Sequence, residues 1–458
     1  MIKTKPQFII AGTGSGVGKT SISLGITAAL NARNCNVQTF KTGPDYLDPT
    51  YLKLASGQTC YNLDSWMCSA GYLKALYSRQ TDSADVAIVE GVMGLFDGAD
   101  PCTLSGSTAE ISTILNIPVV LVVNAHGCAR SLAATVKGFC ELEPTVEIAG
   151  VIANHVGSER HVEWLRSALA HENLPPLVGA VPRRSLPTIP SRHLGLKTAE
   201  HHCVNSEFLH RLAEACEQYI ELDRLLDICN SSYHSPAKPP RSTSQSPIRI
   251  AIARDQAFHF TYPDNLQLLE AYGAELCYFS PLNDRHLPEN ISGLYLPGGY
   301  PELFAEQLSR NSEMLTAVKA FAGLNNPVYA ECGGLMYLGE SIHSQGQTVP
   351  LCGILPIQTT MLDKRNMLGY TEITLQHDCI LGHRGDLIRG HEFHYSAICA
   401  DNTSGWTKPY SVTRRRSSKP LLQGFCRGNT LASYVHLHWG STPQVAEHFV
   451  NRCKGVKK

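Results

Sequence analysis

The sequence predicts an α/β protein of two domains, each built on a parallel sheet with crossover helices. Three observations lead there. Short apolar strands alternate with helical patterns along most of the 458 residues, the signature of parallel strands joined by helices. The stretch 231–247 is rich in Pro and Ser and nearly devoid of apolar side chains, so it cannot pack a core and reads as a linker. Immediately after it, Ile248–Ala253 begins like a fresh first strand. The domains are therefore placed at 1–230 and 248–458.

In the first domain the expected strands are Gln7–Ala11, Asn36–Phe40, Val86–Val89, Val119–Val123 and Ala149–Ala153. In the second they are Ile248–Ala253, Glu275–Phe279, Gly293–Leu296 and Val328–Ala330. The region 350–440 reads as more antiparallel, with runs such as Leu431–Val435 between Gly-rich turns. No internal repeat is visible.

Composition narrows the function. An apolar fraction of 43% suffices for sizeable cores. A net charge of −1 argues against a nucleic-acid or membrane-surface binder. No run approaches the roughly 18 apolar residues of a membrane span, and Met1–Pro6 leads straight into a strand without a signal-peptide core. The sixteen cysteines are scattered without a CxxC pair, so a reduced, cytoplasmic protein is expected. A homodimer is compatible with the sequence, which does not decide oligomeric state.

After the first strand comes Gly12-Thr13-Gly14-Ser15-Gly16-Val17-Gly18-Lys19-Thr20-Ser21 and then a helical pattern. Backbone N–H groups of such a loop cradle phosphates, and the helix adds its N-terminal dipole. Lys19 would neutralise the β- and γ-phosphates of ATP, and the Thr20 hydroxyl would bind Mg²⁺. The spacing departs from the usual GxxxxGK[ST]: the first glycine lies one residue further out, and Thr13 takes its standard place. Two acidic segments follow predicted strands, Lys41–Pro49 and Glu90–Gly98. Ligands of parallel sheets gather at the carboxyl ends of strands. Glu90 and Asp45 are thus candidate metal ligands, while Lys41, Asp48 and Asp97 are candidates for phosphate or the second substrate. The same four acids also suit turns or helix caps, which need no ligand. Asn154, closing the fifth strand, is a candidate for adenine.

In the second domain Cys332 follows an apolar strand and precedes Gly333-Gly334 and a helical run. That is the outline of a nucleophile elbow. The turn after another strand, Gly298-Gly299, could supply oxyanion-hole N–H groups with Gly333. A base is also needed, since a free thiol is only a few per cent thiolate at neutral pH. His436 and His438 are offered by one late strand, where alternation puts both on one face, and His391 and His394 by another. Position alone does not choose among them.

Together these motifs resemble the cobyrinate a,c-diamide synthases, glutamine-dependent amidotransferases of cobalamin biosynthesis. The resemblance covers essentially the whole chain and rests on Gly12–Ser21, Lys41–Pro49, Glu90–Gly98, Leu296–Leu303, Tyr329–Gly339, Arg389–Ser396 and Ser433–His436. It implies an N-terminal P-loop NTPase-like domain similar to dethiobiotin synthetase and a C-terminal class I glutamine amidotransferase domain. It also implies Cys332 as glutaminase nucleophile and His436 as its base. Class I enzymes carry a glutamate two residues after this histidine; here His438 stands there, as in the cobyrinate and cobyrate branch generally. A neighbouring carbonyl or Glu392 is left to orient His436.

The implied reaction has two halves. Glutamine yields ammonia at Cys332, and a corrin carboxylate is activated by MgATP as an acyl phosphate that ammonia converts to an amide, first at c and then at a. Arg183 and Arg184, and the segment Ser191–Lys197, are candidate cations for a poly-carboxylate substrate. Hydrogenobyrinate or a nickel sirohydrochlorin would suit the same chemistry. From another class, the first domain could be a partitioning-type regulatory ATPase, a reading that the Lys41–Pro49 segment and the fused Cys332 domain oppose.

Overall fold

β1 (Lys3–Gly12) is the axis of the N-terminal sheet, because Phe8, Ile9, Ile10 and Ala11 are buried on both of its faces. Strands covered on both faces need continuous apolar runs rather than alternation. The structure, a computed structural model, describes residues 3–187, 204–233, 247–415 and 419–455. The chain divides into two compact units, Met1–Lys238 and Pro239–Lys458.

In the first unit β1 is joined by β2 (Val37–Thr42), β3 (Tyr61–Leu63), β4 (Val86–Glu90), β5 (Val119–Asn124), β6 (Ile148–Val156) and β7 (Leu177–Pro182). They run parallel in the order β3-β2-β4-β1-β5-β6-β7. The connection from β4 to β5 passes to the other side of β1. The carboxyl ends of β1 and β4 therefore sit where the strand order changes direction, the place where such sheets open a crevice. All five expected strands are present. β3, β7 and β8 (Asn230–Tyr233) are additional: β3 and β8 are too short to show a period, whereas β7 is an apolar run of six residues at the sheet edge. β8 corrects the start of the expected linker, since Ser231–Tyr233 pair antiparallel with Lys3–Lys5. Residues 234–246 of that linker, and the candidate cation segment 191–197, lie outside the described residues.

In the second unit the central strands are β9 (Ile248–Ala253), β10 (Phe258–Phe260), β11 (Ala274–Phe279), β12 (Gly293–Leu296), β13 (Gly298–Gly299) and β14 (Val328–Glu331). β11, β9, β12, β14 and Thr430–Ser433 form a parallel sheet in that order, with Phe425–Arg427 antiparallel at its edge. The run Leu431–Val435 is thus split from the antiparallel group to which its position assigns it. Its strand lies parallel to β14, with Ser433 opposite Glu331, and ends there. The remainder of 350–440 is largely antiparallel, as expected: Tyr410–Arg414, Met367–Leu375, Leu387–His394 and His436–Leu437 follow one another in a second sheet. Among the described residues no helix is long and apolar enough to cross a membrane.

Candidate active sites on the two domains

The phosphate loop is bracketed by sheet contacts. Thr13 N–H donates to the Val122 carbonyl and Leu95 N–H to the Gly12 carbonyl, both near 3 Å (3.1 and 2.9 Å). Those bonds draw the Glu90–Gly98 segment against the loop. Gly18 has φ +101°, and a Cβ there would meet the Asn154 amide nitrogen at 2.2 Å. That amide instead donates to the Val17 carbonyl at 2.8 Å. Asn154 therefore braces the loop from β6 in this structure. Ser15 and Gly16 are exposed at the loop tip, and Thr20 and Ser21 open the following helix Lys19–Ala32. Lys19 Nζ reaches across the loop to the carbonyls of Gly14 (2.9 Å) and Met93.

Behind the loop lies a buried charge cluster. Thr20 Oγ1 donates to Glu90 Oε1 at 2.8 Å, and Lys41 Nζ reaches the same oxygen at 2.8 Å and Asp48 Oδ2 at 2.8 Å. Cross-strand register brings this about, because Lys41 and Glu90 are direct partners on β2 and β4. Burial pushes the Glu90 carboxyl up to about 7 against the pull of Lys41. Burial also works against the Lys41 charge, but Asp48 and Glu90 outweigh it and hold its pKa above the ordinary lysine range. Lys19 is lowered, by burial first and then by Lys41. Glu90 Oε2 is buried without a protein hydrogen-bond partner.

The other acids take distinct places. Asp45 Oδ1 accepts from the N–H groups of Leu47 (2.8 Å) and Asp48 (3.0 Å), holding the turn after β2. Asp97 Oδ2 accepts from Gly94 N–H at 2.8 Å and so shapes the loop after β4. Asp48 is the first residue of the helix Asp48–Ser56 and is buried against Lys41. Proline at the following position suits a helix start, which is the local reason. Arg183 and Arg184 are exposed just after β7, apart from this cluster in the strand order.

In the C-terminal unit Cys332 closes β14 with φ 45° and ψ −102°. That backbone conformation costs a non-glycine residue on the order of 1–3 kcal/mol and persists only where its surroundings impose it. Cys332 N–H is anchored on the Ser433 carbonyl at 2.7 Å. The two glycine turns meet here. A Cβ on Gly333 would lie 3.0 Å from the Gly299 nitrogen, and a Cβ on Gly298 would lie 2.3 Å from His436 Cε1. Gly298, Gly299, Gly333 and His436 thus surround one small space next to the Cys332 turn. Burial, and after it the Glu302 carboxylate, push the Cys332 thiol well above the ordinary range. Burial, with His391 and His394 beside it, holds His436 well below the ordinary imidazole value.

The structure gives the two histidines that alternation puts on one face different partners. The strand is only His436–Leu437, and His438 caps the short turn Trp439–Ser441 with its Nδ1 accepting from Gly440 N–H. His436 lies opposite His391, whereas His438 Nε2 faces Asp264 Oδ2 at 3.5 Å. Glu392 is not the partner of His436. Its Oε2 takes the Arg414 guanidinium at 2.8 Å, because neighbours on a strand face opposite sides and His391 has the His436 side. Glu331 escaped the sequence reading. It accepts from Tyr295, Tyr329 and Leu437 N–H (2.9 Å), tying the nucleophile strand to the His436 strand. Only its place one residue before Cys332 hinted at this.

Known proteins resemble this chain over nearly all of its length. Cobyrinate a,c-diamide synthase of Syntrophotalea carbinolica is 52% identical over 98% of this chain and 99% of its own. Those of Dehalococcoides mccartyi strain 195 and Salmonella typhimurium are 44% and 39% identical, each over 98% of both chains. The chain belongs to the cobyrinate a,c-diamide synthase family. Within it, residues 8–196 match the CobQ/CobB/MinD/ParA nucleotide binding domain and residues 249–444 the CobB/CobQ-like glutamine amidotransferase domain. This family membership makes the protein a glutamine-dependent ligase of cobalamin biosynthesis that uses ATP. The expected fold of both halves agrees with it.

Proposed function

We propose that this chain amidates the a and c carboxylates of cobyrinate, with ammonia released from glutamine at Cys332. The observation that carries the glutaminase half is the strained Cys332 turn with Gly333 against the Gly299 nitrogen. His436 takes the thiol proton as Sγ attacks the glutamine side-chain amide. The N–H groups of Gly299 and Gly333 receive the oxyanion. Collapse breaks the C–N bond, and His436 returns the proton to the departing ammonia; water then cleaves the thioester to glutamate.

In the N-terminal domain the phosphate loop and Lys19 hold ATP so that a corrin carboxylate attacks its γ-phosphate. Ammonia then displaces phosphate from the acyl phosphate. Mg²⁺ fits the cluster behind the loop, since Glu90 Oε2 is a buried acceptor without a protein partner and the Thr20 hydroxyl lies on the same carboxylate. Thr20, Glu90 and Asp45 would hold it, and it would supply charge neutralisation between the phosphates and the attacking carboxylate. Lys41, tethered between Glu90 and Asp48, places a fixed positive charge beside them; Asp97 shapes the loop next to the acceptor. The names of the relatives support cobyrinate as the acceptor.

The test is incubation with MgATP, glutamine and cobyrinate, with the product read by mass spectrometry. Two successive carboxyl-to-carboxamide conversions are expected. Amidation of hydrogenobyrinate or nickel sirohydrochlorin in preference to cobyrinate, or ATP hydrolysis indifferent to any tetrapyrrole acid, overturns the assignment.

A further inference from the structure

Against the His436 ring stands a second imidazole. His391 and His436 are direct cross-strand partners, and their rings stack at 5.0 Å between centroids with only 14° between planes. Gly390 permits this approach, because a Cβ there would meet the His436 carbonyl oxygen at 2.1 Å. His391 is itself held. Its Nδ1 is 3.0 Å from the hydroxyl of Tyr262, and the Tyr262 ring rests on His438 at 4.4 Å. His436, His391 and Tyr262 are each at most 4% exposed. The same strand, Leu387–His394, also reaches the nucleophile, with the Phe393 carbonyl 3.9 Å from Cys332 Sγ.

We propose that His391, clamped by Tyr262, is the positioning residue of the glutaminase base, fixing the plane of its ring by stacking. This rests on the reading of His436 as base. A carboxylate behind the base would favour its imidazolium and raise its pKa. A neutral imidazole, itself strongly disfavoured from charging by burial and by His438, fixes the ring plane while leaving His436 neutral and ready to accept the thiol proton. The titratable groups around the pair are His394 on the same strand as His391, His438 beyond Tyr262, Glu331 through Leu437 N–H, and Glu302 and Glu392 by their charge on Cys332.

The experiment compares His391→Ala, His391→Phe and Tyr262→Phe in the full chain. It reads glutaminase kcat/KM against pH, and near-UV circular dichroism with thermal unfolding as a measure of intact fold. His391→Ala is expected to lower glutaminase kcat about 100-fold, the scale of losing a general base's alignment, and to move its acid limb to higher pH. Phenylalanine keeps the stack and cannot charge, so His391→Phe should recover most of kcat. Tyr262→Phe should lower kcat with little change in glutamine KM. Glutaminase of His391→Ala within twofold of the parent, with an unmoved limb, overturns the proposal. So does a loss in His391→Phe equal to that in His391→Ala. If alanine unfolds the domain, the phenylalanine variant and Tyr262→Phe decide. Loss of glutaminase in the His391 variants while His436→Ala retains it would instead overturn the assignment of His436.

Discussion

The Cε1 atom of His436 lies 2.3 Å from the point where a side chain on Gly298 would begin. The His436 imidazole therefore packs on the backbone of the Gly298-Gly299 turn, and position 298 must be glycine for steric reasons before any question of hydrogen bonding arises. Gly298→Ala should displace the imidazole and lower glutaminase kcat by about 100-fold, comparable to losing one oxyanion donor. Ammonia-dependent amidation by the same variant should stay at the parental rate; a comparable loss there would mean a wider disruption.

Cys332→Ser should abolish use of glutamine and leave synthesis from free ammonia. The raised pKa of the thiol adds a sharper expectation. Because burial and Glu302 disfavour the thiolate, iodoacetamide should modify Cys332 slowly at neutral pH in the absence of glutamine. Alkylation as fast as that of the exposed Cys102 or Cys399 would contradict this.

Glutaminase should hold its activity into mild acid. His436 is lowered from 6.5, so the neutral base persists below that value, and the acid limb of kcat/KM should fall below pH 6.5. The same sign governs stability: the unfolded imidazole takes a proton that the folded one refuses, so this group's contribution is lost as pH falls below 6.5. A limb above 6.5 would show that His436 is charged more easily than its burial allows.

Lys41→Met should be costly in two ways. It leaves the buried carboxylates of Asp48 and Glu90 without their shared cation, worth about 3–5 kcal/mol in urea unfolding. It should also lower ATP-dependent amidation while glutaminase continues. Unchanged unfolding would mean that Glu90 simply takes up a proton, which its raised pKa makes the competing outcome.

Asn154→Ala separates bracing from base recognition. A brace acts on the loop whatever the nucleotide, so KM should rise about tenfold for ATP, in line with loss of a buried hydrogen bond of about 1.5 kcal/mol, and rise equally for GTP. A change in the ratio of ATP to GTP would instead mark the amide as an adenine contact.

Much was written locally. The phosphate loop, the acidic strand ends and the Cys332 elbow are contiguous motifs whose chemistry follows from spacing. The long apolar strands of both sheets are visible because a strand buried on both faces needs an uninterrupted apolar run. What escaped was set by contacts distant in sequence. β3 and β8 are short edge or flanking strands whose partners, not whose patterns, make them strands. Alternation could not choose between His436 and His438; their distant partners, His391 and Asp264, distinguish them. Of the two alternatives for orienting His436, Glu392 is ruled out only by its pairing with Arg414, 22 residues away.

The sequence by itself determined that this chain joins a phosphate-binding domain to a cysteine amidotransferase domain, since residue type and spacing suffice to specify a loop or an elbow. Only the tertiary structure decided which groups face one another: Lys41 between Asp48 and Glu90, Asn154 on the loop, and His391 on His436. Strand register sets Lys41 against Glu90 and His391 against His436, and register depends on the packing of whole sheets, which joins residues tens of positions apart in the chain.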